Sequence, residues 1–262
     1  MGVDSFEKFP NMKSGSKTLD EEFLEKAHDK GLDLMDDEEY EEAFEEFEKI
    51  VDFEISPEDS EDFVDWWEDA IYHEFDILSE LGRNEEALEL VDMLLKSDPE
   101  DGDYLLGKGY VLGDLERHEE ALECYRKMLE IDSEDSDALI NMSSALLETD
   151  KFKDALECAD KAIKIEPKSD EAWYNKGEAL LYLGEYKNAL KCLDKVMEID
   201  RADEETWFLK ARCLSKLGKD EDDILDALLV ACSLEPENKV YAKEEEDFES
   251  LQDNNRFKKI VK

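Results

Sequence analysis

Apolar residues recur along this chain on two periods at once. The short period is helical: Leu105 and Leu112, then Leu122, Tyr125, Met128 and Leu129, are spaced to share one face of each of two amphipathic helices. The long period is 34 residues, and it repeats residue types as well as polarity. Ala87-Leu88, Ala121-Leu122, Ala155-Leu156 and Ala189-Leu190 form one column, and Leu78, Leu112, Leu146, Leu180 and Leu214 form another. Leu105, Leu139, Trp173 and Trp207 make a column of large residues, and Gly109, Ser143, Gly177 and Ala211 a column of small ones. Several columns agreeing over four copies mark an internal repeat. Punctuation falls between the helices: Gly82 and Gly184 follow the first helix of their units, and Pro99, Pro167 and Pro236 close second helices. The pattern predicts units of helix, turn, helix and loop.

Small residues let two helices approach closely, and the large residues opposite fill the gap. A single hairpin cannot bury both faces of its helices. Each unit must therefore lean on the next, which predicts a solenoid with a concave face. The columns resemble the tetratricopeptide repeat, whose pattern is Trp-x2-Leu-Gly-x2-Tyr followed by Ala, an aromatic, Ala and Pro. The best copy is Trp173-Tyr174-Asn175-Lys176-Gly177-Glu178-Ala179-Leu180, with Gly184-Glu185-Tyr186, Ala189, Leu193, Val196 and Asp200 after it. Arg201 stands where the family has Pro, whereas the preceding copy keeps Ala155, Ala159, Ala162 and Pro167.

The resemblance implies an all-α, right-handed α-solenoid of about six helix-turn-helix repeats with a C-terminal capping helix. It covers residues 20 to 238. We expect a mobile segment over 1–18 and a degenerate first repeat over 19–57, carried by Gly31, Leu34, Tyr40, Ala43 and Phe47. Ten extra residues then intervene, including Phe63, Trp66 and Trp67, and are read as a lengthened first helix of the second repeat, 58–101. Three regular repeats follow at 102–135, 136–169 and 170–203. The sixth, 204–238, is irregular, because Asp223 falls in the Ala column and Ile224-Leu225 restores the apolar pair only with one residue inserted. The cap, 239–262, would shield the last apolar face with Phe248, Leu251, Phe257 and Ile260.

Charge narrows the partners. Among 262 residues, 76 Asp and Glu face 32 Lys and Arg, a formal net charge of -44. Such a field repels nucleic acid and anionic membrane surfaces and attracts basic partners. The odd number of Cys, five without a Cys-x-x-Cys pair, points to a reducing compartment. No apolar run is long enough for a membrane helix, and the start matches neither a signal peptide nor a myristoylation pattern, so the expectation is a soluble cytoplasmic protein.

Candidate chemistry was weighed against packing at each site. Cys124, Cys158 and Cys192 lie 34 apart, but equivalent positions in stacked hairpins stand too far apart for a disulfide, and they read as small packing residues. His28, His73 and His118 fall at non-equivalent positions with no Cys or His at ligand spacing, so no metal site is expected. Asp132 to Asp137 resembles a calcium loop only superficially, with Asp137 in place of its Gly and Ser143 in place of its closing Glu. Abundant carboxylates and the absence of a nucleophile or phosphate cradle leave no catalytic site and no cofactor.

In the family that the chain resembles, the first helix of each repeat lines the inner face. Helical phase puts Leu106, Tyr110, Ile140, Asn141, Ser144, Tyr174, Asn175, Glu178, Tyr182, Phe208 and Arg212 there. Asn141 and Asn175 are equivalent, and in the family such an Asn hydrogen-bonds the backbone of a bound peptide. The Lys and Arg clamp with which chaperone-binding members grip a C-terminal carboxylate is absent: Leu106 and Tyr110, then Glu205 and Leu209, stand on either side. The implied function is a non-enzymatic interaction scaffold holding a basic and apolar peptide or helix of a partner protein. A self-associating structural protein, with its charge serving solubility, is the alternative.

Overall fold

The computed structural model describes residues 21–37, 39–51, 61–199 and 203–262, without the side chains of 21–22 and 61–65. The segment 1–18, the stretch 52–60, Arg201 and the side chain of Phe63 therefore lie outside the described residues. Every regular element among the described residues is a helix. The chain divides into two compact units. The first, ending at Ile131, contains α1 (Glu21–Asp36), α2 (Tyr40–Val51), α3 (Glu61–Glu80), α4 (Asn84–Ser97), α5 (Gly102–Asp114) and α6 (His118–Ile131). The second contains α7 (Ser136–Glu148), α8 (Phe152–Ile165), α9 (Asp170–Tyr182), α10 (Tyr186–Ile199), α11 (Glu204–Lys216) and α12 (Glu221–Leu234). It ends with α13 (Asn238–Glu244), a 3-10 turn (Glu246–Leu251) and α14 (Asn255–Ile260). Within each unit successive helices pair as hairpins, and each hairpin packs on the next. The fold is of the α-solenoid class, and its cap is three short elements where one helix was expected.

The leucine column explains how the hairpins turn. Leu180 is three residues from the end of α9, and its carbonyl accepts from the Glu185 N–H at 2.8 Å while the Leu181 carbonyl accepts from Gly184 at 2.9 Å. This pair of bonds closes a helix through one residue in the left-handed region. Gly82, Gly184 and Gly218 occupy that position at φ 67, 79 and 61°, and Glu116 and Asp150 occupy it at 57°. Leu78, Leu112 and Leu146 are buried as well as bonded. The column thus specifies turn and core together. At the last hairpin the inserted residue lies in the turn: α12 begins three residues after Gly218, whereas α10 begins two after Gly184. Ile224 is buried in consequence, and Asp223 faces solvent.

Helix starts are equally local. The side chains of Asp101, Asp135, Ser169 and Asp203 accept hydrogen bonds from the first-turn N–H groups of α5, α7, α9 and α11. The core of the first unit runs through Leu24, Phe47, Ile50, Ala70 and Ile77, with Trp67, Ile71 and Leu94 beside it. Trp67 completes this packing by donating its indole N–H to the Val51 carbonyl at 3.3 Å.

The small column is not uniformly tight, which gives a direct test. A Cβ on Gly109 would collide with the Tyr125 ring, whereas one on Gly177 would come no nearer than 3.0 Å, to the flexible end of Leu193. Alanine improves helix propensity by about 1 kcal/mol at either position, but overpacking a filled site costs about 1–3 kcal/mol. Gly109→Ala is therefore expected to lower stability by up to about 2 kcal/mol net, and Gly177→Ala to be near neutral, in urea denaturation. Equal effects would show that the ring moves aside freely.

Candidate functional site

In the second unit the first helices α7, α9 and α11 lie side by side, and their caps start them in equivalent phase. Not every side chain expected on their common face is available there. Ile140 and Asn175 are buried, and the Asn175 Nδ2 donates to the Ile140 carbonyl at 3.1 Å, joining α9 to α7. A buried amide needs such a partner, and this one is supplied within the fold. Asn141 is half-buried and donates to its own helix, to the Asp137 carbonyl at 2.9 Å. Ser144 is exposed.

Glu178 occupies the middle of the face. It is half-buried, and burial pushes its carboxyl up to about 7, with Glu148 and Glu205 adding to the shift and Arg212 opposing it. Glu205 is itself raised, by burial and then by Asp203 and Glu204. Tyr174 lies beside Glu178 and is raised well above the usual phenol range, chiefly by burial and further by Glu178 and Glu205. Tyr182 completes the wall, stacked on Phe152 with centroids 4.6 Å apart and rings 9° from parallel, and remains 45% exposed. The result is a half-buried carboxylate beside Tyr174 and close to two further carboxylates.

The two α11 residues expected on this face are turned to other work. Phe208 meets Phe248 of the cap edge-on, with centroids 5.7 Å apart. Arg212 pairs with Asp247 at 3.0 Å and Glu245 at 3.1 Å, and its guanidinium also lies 5.4 Å from the Tyr182 ring centre. Asp247, 3% exposed, is shared with Lys216 at 2.5 Å. Arg212 therefore clamps the cap onto α11, and its charge is divided among acids of the chain itself.

In the first unit Leu106 is half-buried and Tyr110 is 56% exposed, both on α5. The five cysteines are free and buried, and burial raises each thiol, that of Cys192 to about 11. They pack rather than react. Two of the histidines meet one carboxylate: His28 of α1 lies 2.5 Å from Asp69 of α3, and His73, one turn after Asp69, lies 3.4 Å from the same oxygen. Only the Asp69 and His73 spacing was legible beforehand. No helix among the described residues is long and apolar enough to cross a membrane.

Comparison with known proteins places these features. Two families described as Tetratricopeptide repeat match residues 114–176 and 72–136, and the family Anaphase-promoting complex, cyclosome, subunit 3 matches residues 148–228. No curated protein sequence matches the chain. Among solved structures, a tetratricopeptide repeat protein from Parabacteroides merdae is 16% identical, with 92% of this chain and 98% of that one covered and a TM-score of 0.68. YrrB, a repeat protein with an unusual peptide-binding site, is 22% identical over 67% of this chain and 91% of its own, with a TM-score of 0.52. MamA is 20% identical over 66% and 94%, with a TM-score of 0.54. At these identities the likeness is one of fold.

Proposed function

The chain is a tetratricopeptide-repeat protein, and on that premise we propose that it is a non-enzymatic scaffold whose α7, α9 and α11 face holds a basic segment of a partner protein. One observation supports this reading most. Glu178 is half-buried among Glu148, Glu205 and Tyr174, and Arg212, the cation that acts on it among the described residues, is engaged by Glu245 and Asp247. A lysine or arginine from a guest would supply the missing charge, with its aliphatic stem along the exposed part of Tyr182. YrrB has the same fold and a peptide-binding site, which is consistent with such use. The surrounding net charge of -44 would raise the association rate without choosing the site.

The test separates site from field. Any acidic protein binds a basic peptide less tightly as salt is added. Ordinary carboxylates, however, are fully ionised by pH 6, so the overall field changes little above that. Glu178 ionises near 7, and a guest lysine stays charged throughout. Affinity for a Lys/Arg peptide with apolar neighbours, followed by fluorescence anisotropy, should therefore tighten about tenfold from pH 6 to pH 8, the worth of one new half-buried charge pair. The three histidines belong to α1, α3 and α6 and not to the helices of this face. The gain should accordingly vanish in Glu178→Gln. A pH effect that survives this change, or equal affinity for an acidic peptide, would refute the assignment.

A further inference from the structure

We propose that His28, Asp69 and His73 form a binding site for one divalent transition-metal ion of the zinc type, joining α1 to α3 in the first unit. The three side chains each offer a ligand atom, and these atoms lie within 4.8 Å of one another. With metal–nitrogen and metal–oxygen bonds of about 2.0–2.2 Å, tetrahedral ligand atoms stand about 3.3 Å apart. The His73 Nε2 to Asp69 Oδ2 separation is already 3.4 Å. The 2.5 Å contact of His28 with the same carboxylate needs only a modest opening to admit an ion between them.

The two rings are held in place before any ion arrives. Phe47 stacks on His73 with centroids 5.0 Å apart and 21° between planes, and meets His28 edge-on at 6.0 Å. Both histidine side chains are mostly buried, at 13% and 19% exposure, while Asp69 at 48% opens the cluster to solvent. The His73 Nε2 faces Asp69, and its buried Nδ1 has no hydrogen-bond partner, so no bond within the fold fixes which nitrogen carries the ring proton.

Two imidazoles and one carboxylate select zinc-like ions over magnesium or calcium, which prefer all-oxygen shells. Three protein ligands leave a fourth position for water or for a ligand from another molecule. A metal here would tie α1 to α3 of the next hairpin. The site is distinct from the α7, α9 and α11 face and does not depend on it.

Titrating the full chain with Zn2+ while following the histidine ring protons by NMR tests this without any substitution. The chain has three histidines, so the resonances of His28 and His73 should move together at one equivalent, with His118 of α6 as internal control. Calorimetry should show Zn2+ binding at least about 100-fold tighter than Mg2+, which reports the diffuse acidic background. His28→Gln and His73→Ala should each weaken it by at least about tenfold, with circular dichroism confirming that the helices remain. The proposal is overturned if all three histidines shift alike, if none shifts, or if Zn2+ binds no tighter than Mg2+.

Discussion

Truncating Phe248 to alanine is expected to destabilise the second unit by about 3–5 kcal/mol, the cost of a large cavity at a fully buried aromatic. Phe248 has no exposed surface and lies in one cluster with Ala211, Leu225, Leu228, Leu251, Phe257 and Ile260, against which Trp207, Phe208 and Leu214 also pack. Every earlier hairpin of this unit has a following one to cover it, whereas α11 and α12 have only the cap. The edge contact with Phe208 and the ion pairs of Asp247 with Arg212 and Lys216 hold that cap in register. Without the ring these polar contacts lose the largest part of the apolar surface between cap and α11. Native-state hydrogen exchange should show protection lost first in α11 and α12, with α1 to α4 unaffected, because repeat proteins lose stability through nearest-neighbour terms. A change below about 1 kcal/mol in urea denaturation would mean that the cap does not carry the stability assigned to it.

The fold was legible because its causes are local and periodic. The Leu180 column combines turn and core, the Gly109 column sets close approach, and each signal recurs often enough to be seen. The candidate face was legible only as a phase on a helix. Whether a side chain on that phase is free depends on groups the period does not carry. Asn175 is used by a backbone carbonyl 35 residues earlier, and Arg212 by Asp247 in the cap, beyond the last repeat. The histidine cluster was hidden for the same reason, since His28 and Asp69 are 41 residues apart and the ten extra residues between Ala43 and Ala87 break the 34-residue register. Glu178 gave no signal of its own among 76 acidic residues. Its distinction is burial, which appears only when α7, α9 and α11 are brought together.

That burial makes Glu178→Gln the most informative substitution, because it is expected to raise stability and remove binding at once. A carboxyl with an ordinary pKa of 4.5 in the unfolded chain and about 7 in the folded one binds more protons folded than unfolded between those values. Stability from this group is therefore highest at acid pH and falls as pH rises from about 4.5 to 7, by at most about 3 kcal/mol. Partial exposure of the side chain reduces this to about 1–2 kcal/mol. Glutamine has the same shape and no charge to desolvate, so the variant should be more stable than the parent by about that amount at pH 8 and equal to it near pH 5. At pH 8 it should bind the basic peptide about tenfold more weakly, and at pH 5 equally, since the parent carboxyl is then protonated. Urea denaturation and anisotropy at the two pH values measure both. The opposite result, a variant less stable at pH 8, would mean that attraction to Arg212 exceeds the cost of burial, and Glu178 would then be a structural partner of the cap clamp. A stabilising loss of function would identify a charge kept at the expense of the fold for the sake of a guest.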